Sequence, residues 1–296
     1  VEVAVYPPTP APVIAPLTLC GAGNSATLVA EGNAGGYEWF ADAGATQLVN
    51  NNRSYTVSNL PEGISTFYVR AVTNGCYSPI VTAQVTVLPT LDNNQLNEVA
   101  AVCAGQSPAL LTGTSPTGGN DSYTYRWESS VTDETNGFEV IAGATAATYQ
   151  PSTLTRDTWF KRTVISAGCS HTSAPVKVTV TPVVENNSVT GIAPICQGAE
   201  AATLQGTKPT GGNNSYTYTW EYSTTGTSGS FRAATGNINE QHYNPGVLNV
   251  TTWFRRKVKS GTCQEHISEA VKVTVVKPIT MNFVSVQQNT ICSGST

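Results

Sequence analysis

Two nearly identical stretches of fourteen residues constrain this chain more than any other feature of its sequence. Residues 115–128 read SPTGGNDSYTYRWE, and residues 208–221 read KPTGGNNSYTYTWE, 93 positions later. A catalytic site is seldom needed twice in one chain, whereas a structural unit often is. Because this period is longer than a hairpin and shorter than a large domain, the sequence predicts small modules in tandem.

The repeat extends beyond these stretches, because aromatic residues, leucines and cysteines recur in the same order. Trp159-Phe160 returns as Trp253-Phe254, and a shorter first repeat carries related residues. The predicted core anchors of the three repeats are Trp39, Trp127, Trp220, Tyr55, Tyr149, Tyr243, Leu60, Leu154 and Leu248. Burying a large apolar side chain contributes about 1.5–3 kcal/mol, so we expect each repeat to build its own core around these anchors.

Each repeat contains short alternating segments that are typical of β-strands. In the second repeat, residues 123–129 (YTYRWES) place aromatic residues on one face and polar residues on the other, which indicates a half-buried strand. Residues 158–166 and 175–181 lie on either side of a Gly-Cys turn and are predicted to form a closing hairpin. About seven strands around a buried Trp predict an all-β chain of tandem immunoglobulin-like or fibronectin-III-like β-sandwich domains arranged end to end.

Valine-rich segments that close on proline mark the ends of the repeats, at Pro89, Pro182 and Pro278. They predict three complete domains with parts of two more, as in a section of a longer array. The expected bounds are 1–7 for the last strand of a preceding unit, 8–89, 90–182 and 183–278 for Ig-like domains 1 to 3, and 279–296 for the first strand of a fourth unit.

The composition argues against two classes of partner. Only 11% of the residues are charged, against about 25% in an average soluble protein, and the net charge is −4. The few Lys and Arg residues are scattered, so no nucleic-acid partner is expected. No apolar run reaches about 18 residues, so no membrane span is expected within this sequence.

Seven cysteines in a β-rich chain predict an oxidising compartment and structural disulfides. Pairing within repeats would join Cys20 to Cys76, Cys103 to Cys169 and Cys196 to Cys263, with Cys292 left over. The two cysteines of one sandwich, however, are expected at its opposite ends, roughly 20 Å apart. The Cα atoms of a disulfide must come within about 7 Å of each other.

Pairing between neighbouring repeats would avoid this separation. It would join Cys20 to Cys169 and Cys103 to Cys263, and it would leave Cys76, Cys196 and Cys292 to partners elsewhere. The reach of a disulfide favours this second scheme narrowly, and both schemes stay open at the level of sequence.

The pattern ICxG, PTGGNxSYTYxWE, WFxR and VxVTV of the later repeats resembles the tandem Ig-like repeats of Bacteroidota cell-surface adhesins, including those of gliding species. The first repeat resembles a related Ig-like family. The resemblance implies export by a type IX secretion system, an extracellular location at the cell surface, and a role in cell adhesion or gliding motility. It implies no catalytic residues, because the shared residues are those that fold each repeat.

Few side chains are candidates for chemistry. His171, His242 and His266 are expected at different positions of their repeats, so no catalytic or metal-binding set is predicted. Calcium held at the repeat junctions by residues 91–98 and 184–189 is the one cofactor considered, with a hydrated linker as the alternative. Glu128 and Glu221 recur beside the core Trp residues, where a structural hydrogen bond is expected.

The segments WFKRTV and WFRRKVK place basic residues beside aromatic ones on the predicted sixth strand. A solvated outer strand face is the expected role, and a face that binds sugars or acids is the alternative.

The sequence favours a structural stalk or filament section of a large secreted surface adhesin, which spaces a binding tip from the cell. Its expected partners are neighbouring Ig-like units of the same chain. The alternatives are modules that bind a surface polysaccharide or another cell-surface protein, and accessory modules of an extracellular enzyme. No catalytic, cofactor-binding or metal-binding residue is predicted.

Overall fold

The computed structural model describes residues 5–281 of the 296-residue chain. These residues separate into two compact units, one formed by residues 5–100 with 107–179 and the other by residues 101–106 with 180–281. The described parts of the two predicted end strands, residues 5–7 and 279–281, have no strand conformation. Cys292 lies outside the described residues.

The first repeat, which belongs to the first unit, contains eight strands. They are β1 (Leu17–Cys20), β2 (Ala26–Val29), β3 (Gly36–Phe40), β4 (Leu48–Asn50), β5 (Ser54–Val57), β6 (Gly63–Thr73), β7 (Cys76–Tyr77) and β8 (Val81–Leu88). The larger sheet has the order β1-β8-β6-β3-β4, with β7 paired to β6, and β2 pairs with β5 in the smaller sheet. Strand β1 runs parallel to β8, whereas the other pairs are antiparallel.

The core of the first repeat lies between these two sheets. Trp39 from β3, Val69 from β6 and Val85 from β8 are fully buried against Leu28 from β2. Alternate residues of each strand point to this core because side chains in a strand alternate between its two faces. The first repeat is therefore a β-sandwich with an apolar interior.

The second repeat contains seven strands, most of them short. They are β9 (Val102–Cys103), β10 (Thr124–Ser130), β11 (Glu139–Val140), β12 (Thr158–Ser166), β13 (Cys169–Thr172), β14 (Val176–Val178) and β15 (Val180–Thr181). In the first unit, β10 to β14 form a sheet of order β11-β10-β12-β13, with β14 paired to β12. In the second unit, β9 pairs in parallel with β15.

The third repeat, in the second unit, repeats this arrangement. Its strands are β16 (Val189–Thr190), β17 (Ile195–Cys196), β18 (Ala199–Glu200), β19 (Gln205–Gly206), β20 (Thr217–Ser223), β21 (Arg232–Ala233), β22 (Val247–Leu248), β23 (Thr252–Lys259), β24 (His266–Ile267), β25 (Val271–Val273) and β26 (Val275–Val276). One 3₁₀ turn covers Ser228–Ser230. The main sheet has the order β21-β20-β23-β24, with β25 paired to β23.

The strongest strand predictions agree with the structure, and the weaker ones shorten. Residues 158–166 form β12 over the predicted range, and β10 begins one residue later than predicted. The predicted strand at 175–181 divides into β14 and β15, and residues 109–114 have only isolated bridges, at Leu111 and Gly113. Glycine weakens a strand interior because it has no side chain to pack, and proline lacks the backbone donor that a ladder needs.

The fold is all-β over residues 5–281, as the sequence predicts. Within that range, no helix has the length and apolar character required to cross a membrane.

The Pro-Thr-Gly-Gly loops at residues 116–119 and 209–212 require their glycines, because their backbone passes close to another segment. Gly118 has φ +83, and a Cβ built on it would lie 2.0 Å from the carbonyl oxygen of Thr90. Gly211 has φ +79, and its Cβ would lie 1.9 Å from the carbonyl oxygen of Val183. Only glycine combines this backbone conformation with such a close approach to another backbone segment.

We predict that Gly118→Ala lowers the free energy of unfolding by about 2–4 kcal/mol, because it adds backbone strain and a clash with Thr90. Gly143→Ala is the matched control. Gly143 also has a positive φ, +77, but its Cβ would meet nothing within 4 Å. We expect this control to cost about 1–2 kcal/mol from the backbone alone. Equal losses for the two variants in chemical denaturation would contradict the proposed clash.

Candidate functional site

The predicted tryptophan anchors occupy equivalent places in the three repeats. Trp39, Trp127 and Trp220 are fully buried. Each ring packs against the predicted tyrosine anchor of its repeat, with centroid distances of 5.7 Å to Tyr55, 5.7 Å to Tyr149 and 5.4 Å to Tyr243. The leucine anchors are less uniform, because Leu60 is buried whereas Leu154 and Leu248 are partly buried.

Each buried indole donates its N–H group to a backbone carbonyl of a loop. The acceptors are Asn52, Ala146 and Glu240, each at 2.9 Å. A buried polar group left without a partner costs about 1–3 kcal/mol, so each tryptophan fixes the path of one loop as well as filling the core.

Two arginines, Arg162 on β12 and Arg256 on β23, are buried inside the second and third repeats, with only 1% and 0% of their surface exposed. Each lies directly opposite the core tryptophan on the neighbouring strand, Trp127 or Trp220. The basic residues of these strands were expected on an outer face. That expectation is wrong for these two, because side chains alternate along a strand and Arg162 shares the inner face with Phe160 and Val164.

The guanidinium groups donate hydrogen bonds to oxygens that carry no formal charge. Arg162 donates from Nε to Asn94 Oδ1 at 2.8 Å, from Nη1 to the carbonyl of Ala147 at 2.7 Å and from Nη2 to the carbonyl of Thr114 at 2.8 Å. Burial lowers the pKa of Arg162, but a guanidinium remains protonated in proteins. One arginine therefore ties three separate loops to the sheet.

Arg256 makes the same three bonds in the third repeat. It donates to Asn187 Oδ1 at 2.9 Å and to the carbonyls of Gln241 and Thr207 at 2.8 Å each. Burial likewise lowers its pKa. Because both sets match atom for atom, the buried arginine belongs to the architecture of these two repeats.

The first repeat shows the apolar alternative at the same position. Opposite Trp39, strand β6 carries Val69, which is fully buried in an apolar cluster. In this repeat β2 and β5 form a ladder of four residue pairs, whereas the corresponding segments of the second repeat share only the bridge between Leu111 and Tyr149. The bonds of the buried guanidinium to loop carbonyls therefore replace ladder bonds that those loops do not form.

Asn94 and Asn187 complete the arginine sites. The amide of Asn94 donates to the carbonyls of Arg162 and His171, each at 2.9 Å. Asn187 donates to the carbonyls of Arg256 at 3.1 Å and His266 at 2.8 Å. Both asparagines lie in the stretches considered for calcium, and their amide oxygens are already engaged by the arginines. Among residues 5–281, no group of three or more His, Cys, Asp or Glu side chains could hold a metal ion.

Two histidines occupy equivalent positions, which the sequence comparison missed. His171 is paired with Val164, and His266 is paired with Val258 at the matching place on β23. The prediction that they differ in position is wrong, because one extra residue follows Cys263 and shifts the numbering beyond it. His242 stands apart from both and accepts a hydrogen bond on Nδ1 from the backbone N–H of Gly206.

The disulfides join consecutive repeats. Cys20 is bonded to Cys169, with Cα atoms 5.6 Å apart, and Cys103 is bonded to Cys263, with Cα atoms 4.8 Å apart. These are the pairs of the second scheme. Pairing within repeats is wrong, since in the second repeat Cys103 bonds forward to Cys263 and Cys169 bonds backward to Cys20. Among residues 5–281, Cys76 and Cys196 carry free thiols.

The two glutamates beside the core tryptophans form ion pairs on the outer face. Glu128 lies 3.1 Å from Lys161 Nζ, and Glu221 lies 2.7 Å from Arg255 Nε. Burial alone would raise the pKa of Glu221, but hydrogen bonds and charges from Arg255 and Lys257 outweigh it and leave the pKa below its usual value.

We predict that Asn187→Ala lowers the free energy of unfolding by about 2–3 kcal/mol, because it leaves the buried Arg256 Nε–H group without its acceptor and removes the amide bonds to the carbonyls of Arg256 and His266. In an Arg256→Val background, which copies Val69 of the first repeat, the same change should cost less because the two groups are coupled. Asn97→Ala is the surface control, since Asn97 is exposed and bonds to Thr112, and it should cost less than about 0.5 kcal/mol. Chemical denaturation measures all four variants, and an unchanged loss in the Val background would contradict the coupling.

Solved structures of tandem Ig-like domains resemble this chain only distantly. Domains A168–A170 of titin share 14% identity over 91% of this chain and 100% of that chain, with a TM-score of 0.40. The N-terminal eight Ig domains of Down Syndrome Cell Adhesion Molecule share 13% over 90% of this chain and 36% of that chain, with a TM-score of 0.40. The FN1–FN3 domains of chicken CNTN1 share 11% over 90% of this chain and 99% of that chain, with a TM-score of 0.33.

No curated protein matches the chain in sequence. Residues 7–89 match the family described as "Ig-like domain CHU_C associated", which confirms the prediction of an Ig-like domain. Residues 92–182 and 185–277 both match one further family. Since these two matches cover more than half of its residues, the chain belongs to the family described as "Domain of unknown function (DUF8696)".

Proposed function

We propose that this chain is a structural stalk or filament section of a large secreted cell-surface adhesin, which spaces a binding tip from the cell. The proposed modules are the Ig-like domains 8–89, 90–182 and 183–278. The observation that carries the proposal is that both disulfides link one repeat to the next. A disulfide of this kind adds to the connection between modules, whereas one within a repeat would strengthen that repeat alone.

The two disulfide loops overlap along the chain, which has a mechanical consequence. Cys103 lies inside the loop closed by Cys20 and Cys169, and Cys169 lies inside the loop closed by Cys103 and Cys263. The shortest covalent path from Cys20 to Cys263 crosses to Cys169, returns along the backbone to Cys103 and crosses again. Force applied at the two ends of the chain would therefore act on the 66 residue-to-residue steps from Cys103 to Cys169 (169 − 103) and bypass most of the first and third repeats.

The proposed setting is extracellular. Disulfides form and persist in oxidising compartments such as the cell exterior, and the two bonds of this chain support that location. The resemblance to Bacteroidota surface adhesins adds the proposal of export by a type IX secretion system and a role in adhesion or gliding motility. In this proposal the recurring anchors and cysteines serve folding and linkage, and the chain carries out no reaction.

We expect single-molecule pulling between the chain ends to reveal the overlapping loops. In the oxidised chain, the segment between Cys20 and Cys263 should extend to roughly 230 Å at most, because only 66 residues lie on its path. After reduction the path contains 243 residues and should extend to roughly 850 Å.

Single cysteine variants make this measurement specific. Cys103→Ser keeps only the first disulfide, so the path from Cys169 to Cys263 has 94 residue-to-residue steps (263 − 169) and the segment should extend to roughly 330 Å. Replacing both free cysteines, Cys76→Ser with Cys196→Ser, should leave the oxidised extension unchanged. An oxidised chain that extends as far as the reduced one would refute the proposal that the two disulfides transmit force along the stalk.

A second function, recognition of a polysaccharide or a partner protein, is favoured by one repeated surface feature. Lys161 Nζ lies 4.1 Å from the ring centroid of Phe138, and the guanidinium carbon of Arg255 lies 4.2 Å from that of Phe231. Both pairs are partly exposed and occupy equivalent places in the second and third repeats. Aromatic faces with adjacent cations can stack on sugar rings and bind acidic groups.

Binding of acidic and neutral polysaccharides to the full chain tests this second function. The double variant Phe138→Ala with Phe231→Ala should abolish saturable binding, because it removes both aromatic faces. Ile80→Ala, an exposed apolar residue of the first repeat, is the control and should bind like the parent chain. Absence of saturable binding, or equal binding by all three proteins, would exclude these pairs as the recognition surface.

A further inference from the structure

The two disulfide-linked junctions of this chain are built from the same parts. At each one, the first cysteine of a repeat lies on a strand that pairs in parallel with the closing strand of that repeat, Cys20 opposite Leu88 and Cys103 opposite Thr181. The second cysteine of the following repeat then bonds to it. Three residues after Leu88 and Thr181 come Leu91 and Val184, which are buried beside the disulfides with exposures of 7% and 3%.

Backbone contacts between the same segments repeat as well. The N–H group of Gly119 donates to the carbonyl of Pro89 at 2.9 Å, and that of Gly212 donates to the carbonyl of Pro182 at 2.8 Å. In both cases the Gly-Gly loop of one repeat binds the residue that follows the closing strand of the repeat before it. A junction thus has an acceptor half, formed by the first cysteine and the closing strand, and a donor half, formed by the Gly-Gly loop and the second cysteine.

The third repeat carries an acceptor half that no described residue fills. Cys196 pairs in parallel with Val276, at the place that Cys20 and Cys103 occupy in their repeats, and its thiol is free and exposed. Val276 is 52% exposed. Ile279 follows it by three residues, as Leu91 follows Leu88, and is 88% exposed where its equivalents are buried.

We propose that Cys196, Val276 and Ile279 form a docking surface for a further DUF8696-type repeat that follows residue 278 and bonds its second cysteine to Cys196. The argument is continuity, because two filled junctions of the same design precede this one in the same chain. Burial of Ile279 would stabilise the contact, because it removes a large apolar side chain from water. This inference deepens the proposed stalk function by naming the partner of the third repeat.

The bond requires an oxidant, and a small-molecule disulfide such as glutathione disulfide supplies it. One of the two thiolates attacks a sulfur of the oxidant, forms a mixed disulfide and releases one thiol. The second thiolate attacks the mixed disulfide and releases the other thiol. The two cysteines lose two electrons and two protons in total, and the oxidant is reduced to two thiols.

The test extends the chain with a repeat of known design. Residues 1–279 are followed by a second copy of residues 185–278, so that Ile279 stays in place, and the exposed change Glu269→Asp in the copy marks the added peptide by mass. After oxidation with glutathione disulfide, we expect alkylation of Cys196 to fall to less than about a tenth of its value in the original chain. Non-reducing peptide mapping should show Cys196 joined to the marked peptide that contains the copied Cys263.

Two further chains control for folding and for the identity of the partner. In the extended chain with the copied Cys263 changed to Ser, Cys196 should stay fully reactive. A second extension, in which residues 92–182 follow Ile279, supplies a different donor half, with Cys169 as the expected partner, in case the first copy does not fold.

Three results would overturn the inference. They are a reactive Cys196 in both oxidised extensions, a Cys196 bond to Cys76 of a second chain, and an equal loss of reactivity when the copied cysteine is Ser. None of these measurements depends on the pulling experiment. If the disulfide to Cys196 does not form but the oxidised chain still shows the shortened extension, the docking surface is refuted and the proposed stalk function stands.

Discussion

The rule that a buried polar group must find a partner organises the second and third repeats. Arg162 and Arg256 are buried opposite the core tryptophans, and each donates from its three nitrogens to an asparagine side chain and two loop carbonyls. The loops that accept these hydrogen bonds form few β-ladder hydrogen bonds themselves. A buried cation therefore takes over part of the role that strands play in the first repeat, where Val69 occupies the same place.

The adjacent acceptors show how closely this arrangement is coupled. The indole of Trp127 binds the carbonyl of Ala146, and Arg162 binds the carbonyl of the next residue, Ala147. In the third repeat, Trp220 and Arg256 bind the carbonyls of Glu240 and Gln241. Two donors on neighbouring strands thus hold two successive peptide groups of one loop. Loss of either donor would leave the other to fix that loop alone.

The cysteines perform a different task, because they lie away from this core. The second repeat bonds backward through Cys169 and forward through Cys103, and neither described disulfide closes a single repeat. The core of each repeat is stabilised by its tryptophan, its tyrosine and its valine or arginine partner. The disulfides connect successive repeats instead, and because the two disulfide loops overlap, force applied at the chain ends acts on residues 103–169.

Much of the fold follows from the repeated residues. The period of the aromatic anchors predicts the number of repeats, and alternation over residues 158–166 predicts β12 over its observed range. The same alternation, followed one step further, identifies Arg162 as inward-facing because it shares a face with Phe160 and Val164. The equivalence of His171 and His266 needed the strand pairing, since one inserted residue hides it from a comparison by number.

The amino-acid sequence by itself determined that this chain is an array of β modules, because the spacing of Trp, Tyr and Cys recurs and strand periodicity depends on neighbouring residues alone. Only the tertiary structure decided which cysteines bond and what surrounds the buried arginines. Both depend on distances between residues far apart in the chain, such as the 5.6 Å between the Cα atoms of Cys20 and Cys169, and a disulfide or a buried charge exists only where folding brings its partners within reach.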